Sequence, residues 1–266
     1  EVSAYPAITR IDFGTGDIKY VDCSSSFSSD NVTELKKWLN GTNQNYKSTF
    51  FSAALLEQPK GSRIVPLSEP QTVKNIVRLI EKFPTLEDSG VKIGIGLATG
   101  RDGSLVRLTD YPRLQSYYEK HREEIAKRHV AKKNADGWYR TIDKVNWSIV
   151  GIPMLLFPDM AMTADPVYSD GKRYPCHNCY WLVSDSWDIK VLGGLLMSDI
   201  AEAFIDAMGV KMRGGTKRFQ AQYLRLIHVP DPDSISDEIS YQLKTAFENN
   251  DRKAASKAAV AAYGLE

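Results

Sequence analysis

The sequence is poor in cysteine and contains no long apolar run. Its three cysteines, Cys23, Cys176 and Cys179, are too few and too unevenly placed for a disulfide framework, which favours a reducing compartment. The longest apolar run, near residues 191–197, is far shorter than a membrane span, and no cationic leader with an apolar core opens the chain. We therefore expect a cytoplasmic protein without a membrane partner.

The chain also lacks a net charge that would explain binding to a polyanion. Its formal net charge is +1, so any affinity for nucleic acid must come from cations gathered on one face. The apolar and charged fractions are those of an ordinary globular protein, and 266 residues suffice for one large domain or two modest ones.

The usual catalytic motifs are missing. Neither a Gly-x-Ser-x-Gly elbow nor a His-Glu-x-x-His pair occurs in the sequence. The glycine-rich residues 94–100 lead through Arg101 towards a predicted strand, whereas a dinucleotide loop needs a helix directly after it. The glycines there fit better a hairpin whose backbone approaches a partner closely, with Lys92, Thr99 and Arg101 as donors to phosphates or base edges.

Two further motifs resemble known sites but are incomplete. Cys176-His177-Asn178-Cys179 has the spacing of half a zinc site, yet the only other cysteine is remote, so we expect no metal and read the thiols as buried. His177 and Asn178 could still face a ligand from the start of a strand. Asp165-Pro-Val-Tyr168 is one residue away from the Asp-Pro-Pro-Tyr loop of amino-methyltransferases, but it lacks the second proline and no cofactor loop precedes it.

The hydrophobic periodicity and the residues that begin and end helices predict an α+β fold, with a mixed-sheet recognition body at residues 1–187 and a mainly helical segment at residues 188–266. Helices are predicted from Asp30 to Gly41, from about Pro70 to Pro84, from Pro112 to about Val130, over residues 188–208, and as two patterns within residues 234–263. Strands are predicted near residues 92–95, 105–108, 148–159 and 178–185.

Two basic stretches carry most of the functional signal. Residues 209–229 contain no acidic residue, and they interleave cations with Phe219, Gln220, Gln222 and Tyr223 around the pair Gly214-Gly215. Cations of this kind can neutralise phosphates while amides and guanidinium groups read bases, and unopposed cations repel one another unless an anion approaches. Residues 113–144 form a second, weaker basic stretch in which acids offset many of the bases, so a solvated helix face is the simpler interpretation for most of it.

The order of motifs resembles the C-terminal target-recognition region of N6-adenine DNA methyltransferases of bacterial restriction-modification systems, of the TaqI-like and PstI/PaeR7-like groups. The resemblance runs from about residue 92 to residue 264. It rests on five segments in order: KIGIGLATGRDGSLV, RHVAKKNADGWYRTIDKV, GIPMLLFPDM, YPCHNCYWLV and MRGGTKRFQAQYLRLIHVPDP.

The resemblance implies a DNA-binding module rather than a complete enzyme. In the family, an upstream domain binds S-adenosylmethionine and carries an Asn-Pro-Pro-Tyr loop. This chain shows neither, so we expect it to bind no cofactor, to be inactive alone, to act as a monomer, and to partner double-stranded DNA and the upstream catalytic domain of the same polypeptide. The residues expected to face DNA are Lys92, Thr99, Arg101, Arg107, Lys132, Lys133, Tyr139, Arg140, His177, Asn178, Lys211, Arg213, Gly214, Gly215, Lys217, Arg218, Gln220, Gln222 and Tyr223.

Two alternatives stay open at this point. The chain could be a self-contained methyltransferase that uses Asp165 and Tyr168. It could also be a protein-interaction scaffold, in which the helical segment docks a missing domain and the basic loop meets an acidic subunit.

Overall fold

The computed structural model describes residues 18–23, 26–41, 45–56, 70–95, 105–140, 146–175, 178–210 and 212–265. Its strands are β1 (Ile18–Cys23), β2 (Tyr46–Lys47), β3 (Phe51–Leu56), β4 (Val91–Ile95), β5 (Met154–Pro158), β6 (Met160–Ala161), β7 (Val167–Ser169), β8 (Cys179–Ser184) and β9 (Lys217–Arg218). Its α-helices are α1 (Val32–Asn40), α2 (Pro70–Lys82), α3 (Pro112–Lys120), α4 (Arg122–Ala126), α5 (His129–Lys133), α6 (Ile189–Leu196), α7 (Asp199–Met208), α8 (Ala221–Leu224), α9 (Asp237–Glu248) and α10 (Arg252–Tyr263). The predicted α+β class is confirmed.

The centre of the molecule is a four-stranded antiparallel sheet in the order β4-β8-β5-β7. Alternate side chains of a strand point to opposite faces, so each central strand serves two clusters. Leu155 and Leu182 belong to the main hydrophobic core, whereas Met154, Trp181 and Val183 form a smaller cluster with other residues on the opposite face.

The C-terminal helices pack on the main-core face of this sheet. Leu192, Phe204, Leu243 and Tyr263, from α6, α7, α9 and α10, are buried in the same cluster as the sheet residues. One hydrophobic core therefore runs across the proposed boundary between residues 187 and 188, and the division into two domains stays a prediction.

The N-terminal part forms a second, three-stranded antiparallel sheet in the order β1-β3-β2. Val73 and Val77 of α2 pack against Ala54 and Leu56 of β3, while Trp38 of α1 is buried in another cluster. The predictions for α1 and α2 are confirmed, with α2 beginning at Pro70 and ending two residues before Pro84.

Residues 105–140 depart from two predictions. Residues 105–108 are not a strand, because the Val106 carbonyl accepts a hydrogen bond from the Tyr139 hydroxyl at 2.6 Å and Leu108 is buried beside Trp138 at the start of a 3-10 turn. The long helix predicted from Pro112 to about Val130 is instead the three short helices α3, α4 and α5, which pack around the cluster that contains Trp138.

Helix boundaries elsewhere follow local capping. The single helical pattern at residues 188–208 divides into α6 and α7 at Ser198, whose side chain accepts a hydrogen bond from the Ala201 N–H. The two predicted C-terminal helices are confirmed, and Asp251 caps the second one. In the described part of the chain, no helix combines the length and the apolar character that crossing a membrane would require.

Candidate nucleic-acid interface

Strand register brings four distant segments to one end of the central sheet. Ile95, at the end of β4, pairs with Tyr180, and Pro158, at the end of β5, pairs with Cys179 at the start of β8. Asp159 then leads directly into β6, which pairs with β9. We call this edge, where β4 and β5 end and β8 begins, the loop end of the sheet.

Main-chain hydrogen bonds tie these segments together. The Asp159 N–H donates to the Asn178 carbonyl at 2.9 Å, and the Phe219 N–H donates to the Asp159 carbonyl at 2.9 Å. The rings of Phe157 and Phe219 stack with centroids 5.8 Å apart. The guanidinium of Arg225 donates to the Ile93 carbonyl at 2.7 Å, so the helical turn after β9 is also attached to β4.

The pair Gly214 and Gly215 forms an exposed turn just before β9, which we call the glycine turn. Their φ angles are +81° and +79°, a region that side chains with a Cβ rarely adopt. A Cβ at Gly214 would meet nothing within 4 Å, and one at Gly215 would touch only the terminal carbon of Met162, at 3.4 Å. The glycines are therefore required by backbone conformation, and they leave an open backbone that a large partner can approach.

The interpretation of β9 as a run of unopposed cations is wrong. Lys217 forms ion pairs with Glu202 and, at 3.0 Å, with Asp206, and Arg218 forms one with Asp159 at 2.6 Å. The partners are far enough away in sequence that the acid-free stretch 209–229 looked unopposed.

The pKa values at this end of the sheet reflect these pairs. Burial alone would lower the pKa of Lys217, but its hydrogen bonds to Glu202 and Asp206 outweigh that effect and raise it. Burial, followed by the nearby Asp159 carboxylate, raises the pKa of Tyr180. Lys217 therefore keeps its charge at any physiological pH, while the Tyr180 hydroxyl stays protonated.

Several other residues expected to face DNA also lie near the loop end. Asn178 is exposed there, and the Gln220 side chain lies close enough to Tyr180 to influence the pKa of its hydroxyl. Gln222 is exposed and donates to Gln220 at 3.3 Å, whereas Tyr223 packs against the main core.

The remaining candidates lie elsewhere or outside the description. Lys92 is at the opposite end of β4, where it forms an exposed ion pair with Asp185 at 3.4 Å. Arg107 pairs with Asp110 at 3.2 Å, and Arg140 is half-buried. Lys132 and Lys133 are exposed on α5, and the Tyr139 hydroxyl donates a hydrogen bond to the Val106 carbonyl. Thr99, Arg101, His177 and Lys211 lie outside the described residues, and for Arg213 only the backbone is described.

Two exposed methionines that no sequence motif singled out lie beside the glycine turn. Met160 and Met162 are 55% and 58% exposed, and the Thr216 hydroxyl donates to the Met162 sulfur at 3.8 Å. The alternation Met-Ala-Met one residue after β5 was the available signal, because alternate residues of an extended segment share a face.

Asp165 and Tyr168 have structural partners. The Arg252 guanidinium donates to Asp165 at 2.9 Å, and the Thr163 hydroxyl donates to the same carboxylate. Burial would raise the pKa of Asp165, but these hydrogen bonds lower it below its usual value. The Lys190 ammonium lies 5.0 Å from the centre of the Tyr168 ring. These contacts favour a structural role for both residues.

Among the residues that the structure describes, no group of three or more His, Cys, Asp or Glu side chains is arranged to hold a metal ion. Cys176 and His177 lie outside that description.

Comparison with known proteins adds a family context. No protein-family model matches the chain. It is 33% identical over 316 residues to the Type II methyltransferase M.XhoI of Xanthomonas vasicola, an alignment covering 99% of this chain and 57% of that protein. It is 32% identical over 321 residues to the Type II methyltransferase M.PaeR7I of Pseudomonas aeruginosa, covering 100% of this chain and 54% of that protein.

A shorter match has a higher identity. The Type II methyltransferase M.BstVI of Geobacillus stearothermophilus is 47% identical over 137 residues, which cover 52% of this chain and 24% of that protein. The chain spans about half the length of the curated relatives that it matches over its whole length. It is thus homologous along its whole length to Type II methyltransferases.

Proposed function

We propose that this chain is the DNA-binding, target-recognition part of a site-specific, S-adenosylmethionine-dependent N6-adenine DNA methyltransferase of a bacterial restriction-modification system. The observation that carries the proposal is the convergence at the loop end of the end of β4, the start of β8, the end of β5 and the glycine turn. The homology to Type II methyltransferases supports a nucleic-acid substrate for this surface.

The chemistry of such an enzyme requires a separate reading surface. An adenine must leave the stack to reach a methyl donor, and the unstacking cost of a few kcal/mol has to be offset by contacts elsewhere along the duplex. In our proposal this chain supplies those contacts, and another part of the polypeptide binds S-adenosylmethionine and transfers the methyl group. The sequence contains no Asn-Pro-Pro-Tyr loop, and Asp165 and Tyr168 are engaged in structural contacts.

Two surfaces divide the work of binding. In the proposed complex, the glycine turn and the short β6–β9 ribbon lie against a groove of the DNA duplex. There the open backbone and the exposed methionines can reach phosphates, base edges and thymine methyl groups. Lys132 and Lys133, exposed on α5, contact phosphates and fix the register on the duplex.

Titration of a fluorescein-labelled duplex, followed by fluorescence anisotropy at several salt concentrations, tests the proposal. We expect affinity to fall steeply as salt rises, because each neutralised phosphate contributes about −0.9 to the slope of log K against log salt. Replacement of Lys132 and Lys133 by Ala should reduce that slope by about 2. Arg213→Ala should cost roughly 1–3 kcal/mol if the contact is to a base edge. Lys74→Ala, an exposed lysine on α2, is the matched control and should leave binding unchanged.

Selection from a pool of randomised duplexes then separates sequence reading from general polyanion binding. A recognition module should enrich one sequence and should not bind polyglutamate. Failure to bind the duplex at low salt, or affinity independent of salt, contradicts the proposal. Calorimetry with S-adenosylmethionine checks the division of labour, since clear binding by this chain alone would place cofactor binding here.

A further inference from the structure

We propose that Lys217 and Arg218 are positioning residues that hold the glycine turn in place through Asp159, Glu202 and Asp206, and are not themselves contacts to DNA. This inference rests on the proposed function and names which cations of the basic stretch do not meet the duplex. In this view, the DNA sequence is recognised by the backbone of the glycine turn and by the neighbouring side chains, which the ion pairs of Lys217 and Arg218 hold in position.

The β6–β9 ribbon is too short to hold itself. Each strand contributes two residues, with Met160 opposite Arg218 and Ala161 opposite Lys217. An isolated two-stranded ribbon is marginally stable even at greater length, and the two glycines that precede it add backbone freedom. A turn presented to a groove from such a ribbon needs anchors beyond the strand pairing.

Arg218 anchors the ribbon to the end of β5. Its guanidinium donates to Asp159 at 2.6 Å, and the side chains are only 29% and 25% exposed. Asp159 is already fixed by its main-chain bonds to Asn178 and Phe219. The charge of Arg218 is therefore directed into the sheet edge.

Lys217 anchors the ribbon to α7. Its ammonium is bonded to Glu202 and Asp206, one turn apart on that helix, and its side chain is 17% exposed. Glu202 also accepts a hydrogen bond from Arg252 at 2.8 Å, and Arg252 donates to the Ala164 carbonyl at 2.7 Å. One carboxylate thus connects the ribbon, α7 and the start of α10, and the chain after β6 is held by the same network.

The same pairs argue against direct phosphate binding by these two cations. To reach a phosphate, each side chain would have to leave a half-buried carboxylate, which would remain uncompensated beside an anionic backbone. Breaking the pairs would also release the ribbon that presents the glycine turn. Lys132 and Lys133 are exposed, so binding a phosphate would neither leave a carboxylate uncompensated nor release the ribbon.

Whether Asp159→Asn strengthens or weakens DNA binding distinguishes a contact role of Arg218 from a positioning role. If Arg218 contacts DNA, Asp159 competes with the phosphate, and Asp159→Asn should strengthen binding to the labelled duplex. If Arg218 is a positioning residue, Asp159→Asn should weaken binding about tenfold, similar to the effect of Arg218→Met. In the positioning role the salt slope stays unchanged in Arg218→Met, whereas loss of a phosphate contact would reduce it by about 0.9. Asp206→Asn repeats the comparison for Lys217, at the more exposed of its two partners.

A charge swap provides the rescue experiment. The double variant Arg218→Asp with Asp159→Arg should recover affinity relative to Arg218→Asp alone if the pair acts only through position. Absence of recovery, in a variant whose circular dichroism and thermal unfolding match those of the unmodified chain, overturns the proposal.

Limited trypsin digestion tests, without DNA, whether the ion pairs of Lys217 and Arg218 restrain the glycine turn. Cleavage after Arg213 should be accelerated in Arg218→Met and Lys217→Met and unchanged in Lys74→Ala, with fragments assigned by mass spectrometry. Unchanged cleavage in both ribbon variants overturns the positioning role. If the unmodified chain fails to bind the duplex, the proposed function fails, while the digestion result still decides whether these residues hold the turn.

Discussion

At the scale of single residues, Arg128 shows how a charged side chain can serve the main chain. Its guanidinium donates to the carbonyls of Ile125, Trp138 and Arg140, at 3.0, 3.2 and 3.1 Å. It thereby closes the segment after α5 back onto α4. Nothing in the local sequence marks Arg128 as different from its neighbour Lys127, which is exposed. The difference arises because the Ile125 carbonyl at the end of α4 and two carbonyls of the turn near Trp138 meet at one planar guanidinium.

We predict that Arg128→Met lowers the free energy of unfolding by about 2–3 kcal/mol, because hydrogen bonds to a charged group are lost and carbonyls are left unpaired. Arg128→Lys should recover little, since one ammonium cannot reproduce the fork that spans three carbonyls. Urea unfolding followed by tryptophan fluorescence measures the change. Lys127→Ala is the control and should stay within about 0.5 kcal/mol of the unmodified chain. Equal effects of the two substitutions would contradict this role.

The same scale explains why the candidate site was only partly predictable. Residue type and spacing identified the basic stretch around Gly214 and Gly215, and both glycines have the positive φ angles that favour glycine. The pairing of Lys217 and Arg218 was not predictable, because Asp159, Glu202 and Asp206 reach them only through the folded chain. A linear charge count treats such cations as free.

At the scale of elements, prediction succeeded where the signal was local. Helices α2, α9 and α10 begin and end at proline, capping residues and turns that the sequence displays. Strands β5 and β8 are apolar runs that the sheet buries on both faces, but β5 begins only at Met154, and the start of the strand predicted at residues 148–159 lies in a 3-10 turn. The failures, a strand at residues 105–108 and one long helix after Pro112, occur where tertiary contacts around Trp138 outweigh local propensity.

The contact between α6 and α9 depends on two adjacent glycines that periodicity alone did not mark. A Cβ at Gly194 would lie within 2.8 Å of the Leu243 carbonyl carbon, whereas a Cβ at Gly193 would meet the Phe247 ring at 2.7 Å. The backbone of α9 at Leu243 cannot move without shifting the helix, whereas the Phe247 side chain near the end of α9 can change its rotamer.

We therefore predict that Gly194→Ala lowers the free energy of unfolding by about 1–3 kcal/mol, despite the better helix propensity of alanine. Gly193→Ala is a matched control in the same helix and should cost less, because Phe247 can move. Thermal and urea unfolding of both variants measure the difference. A larger loss in Gly193→Ala would show that the crowding at Gly194 is not what sets the distance between the helices.

At the scale of the whole molecule, a nearly neutral chain can bind DNA as proposed only if it presents its cations selectively. The structure does this by two routes: carboxylates engage Lys217 and Arg218, while Lys132 and Lys133 are left exposed on α5. If the chain binds a duplex as proposed, the surface potential that the duplex meets is set by which cations stay unpaired, and not by the number of cations in a stretch of sequence.

Lysine acetylation footprinting with and without a duplex tests this selection across the molecule. Lys132 and Lys133 should react in the free chain and become protected when the duplex is bound, because an ammonium held against phosphate is shielded from the reagent. Lys74 on α2 and Lys257 on α10 are exposed controls whose reactivity should not change. Lys217 should react poorly in both states, since its ammonium is already held by Glu202 and Asp206. Equal protection of all four exposed lysines would mean that the duplex binds without orientation, and the division into exposed contacts and internal anchors would then be wrong.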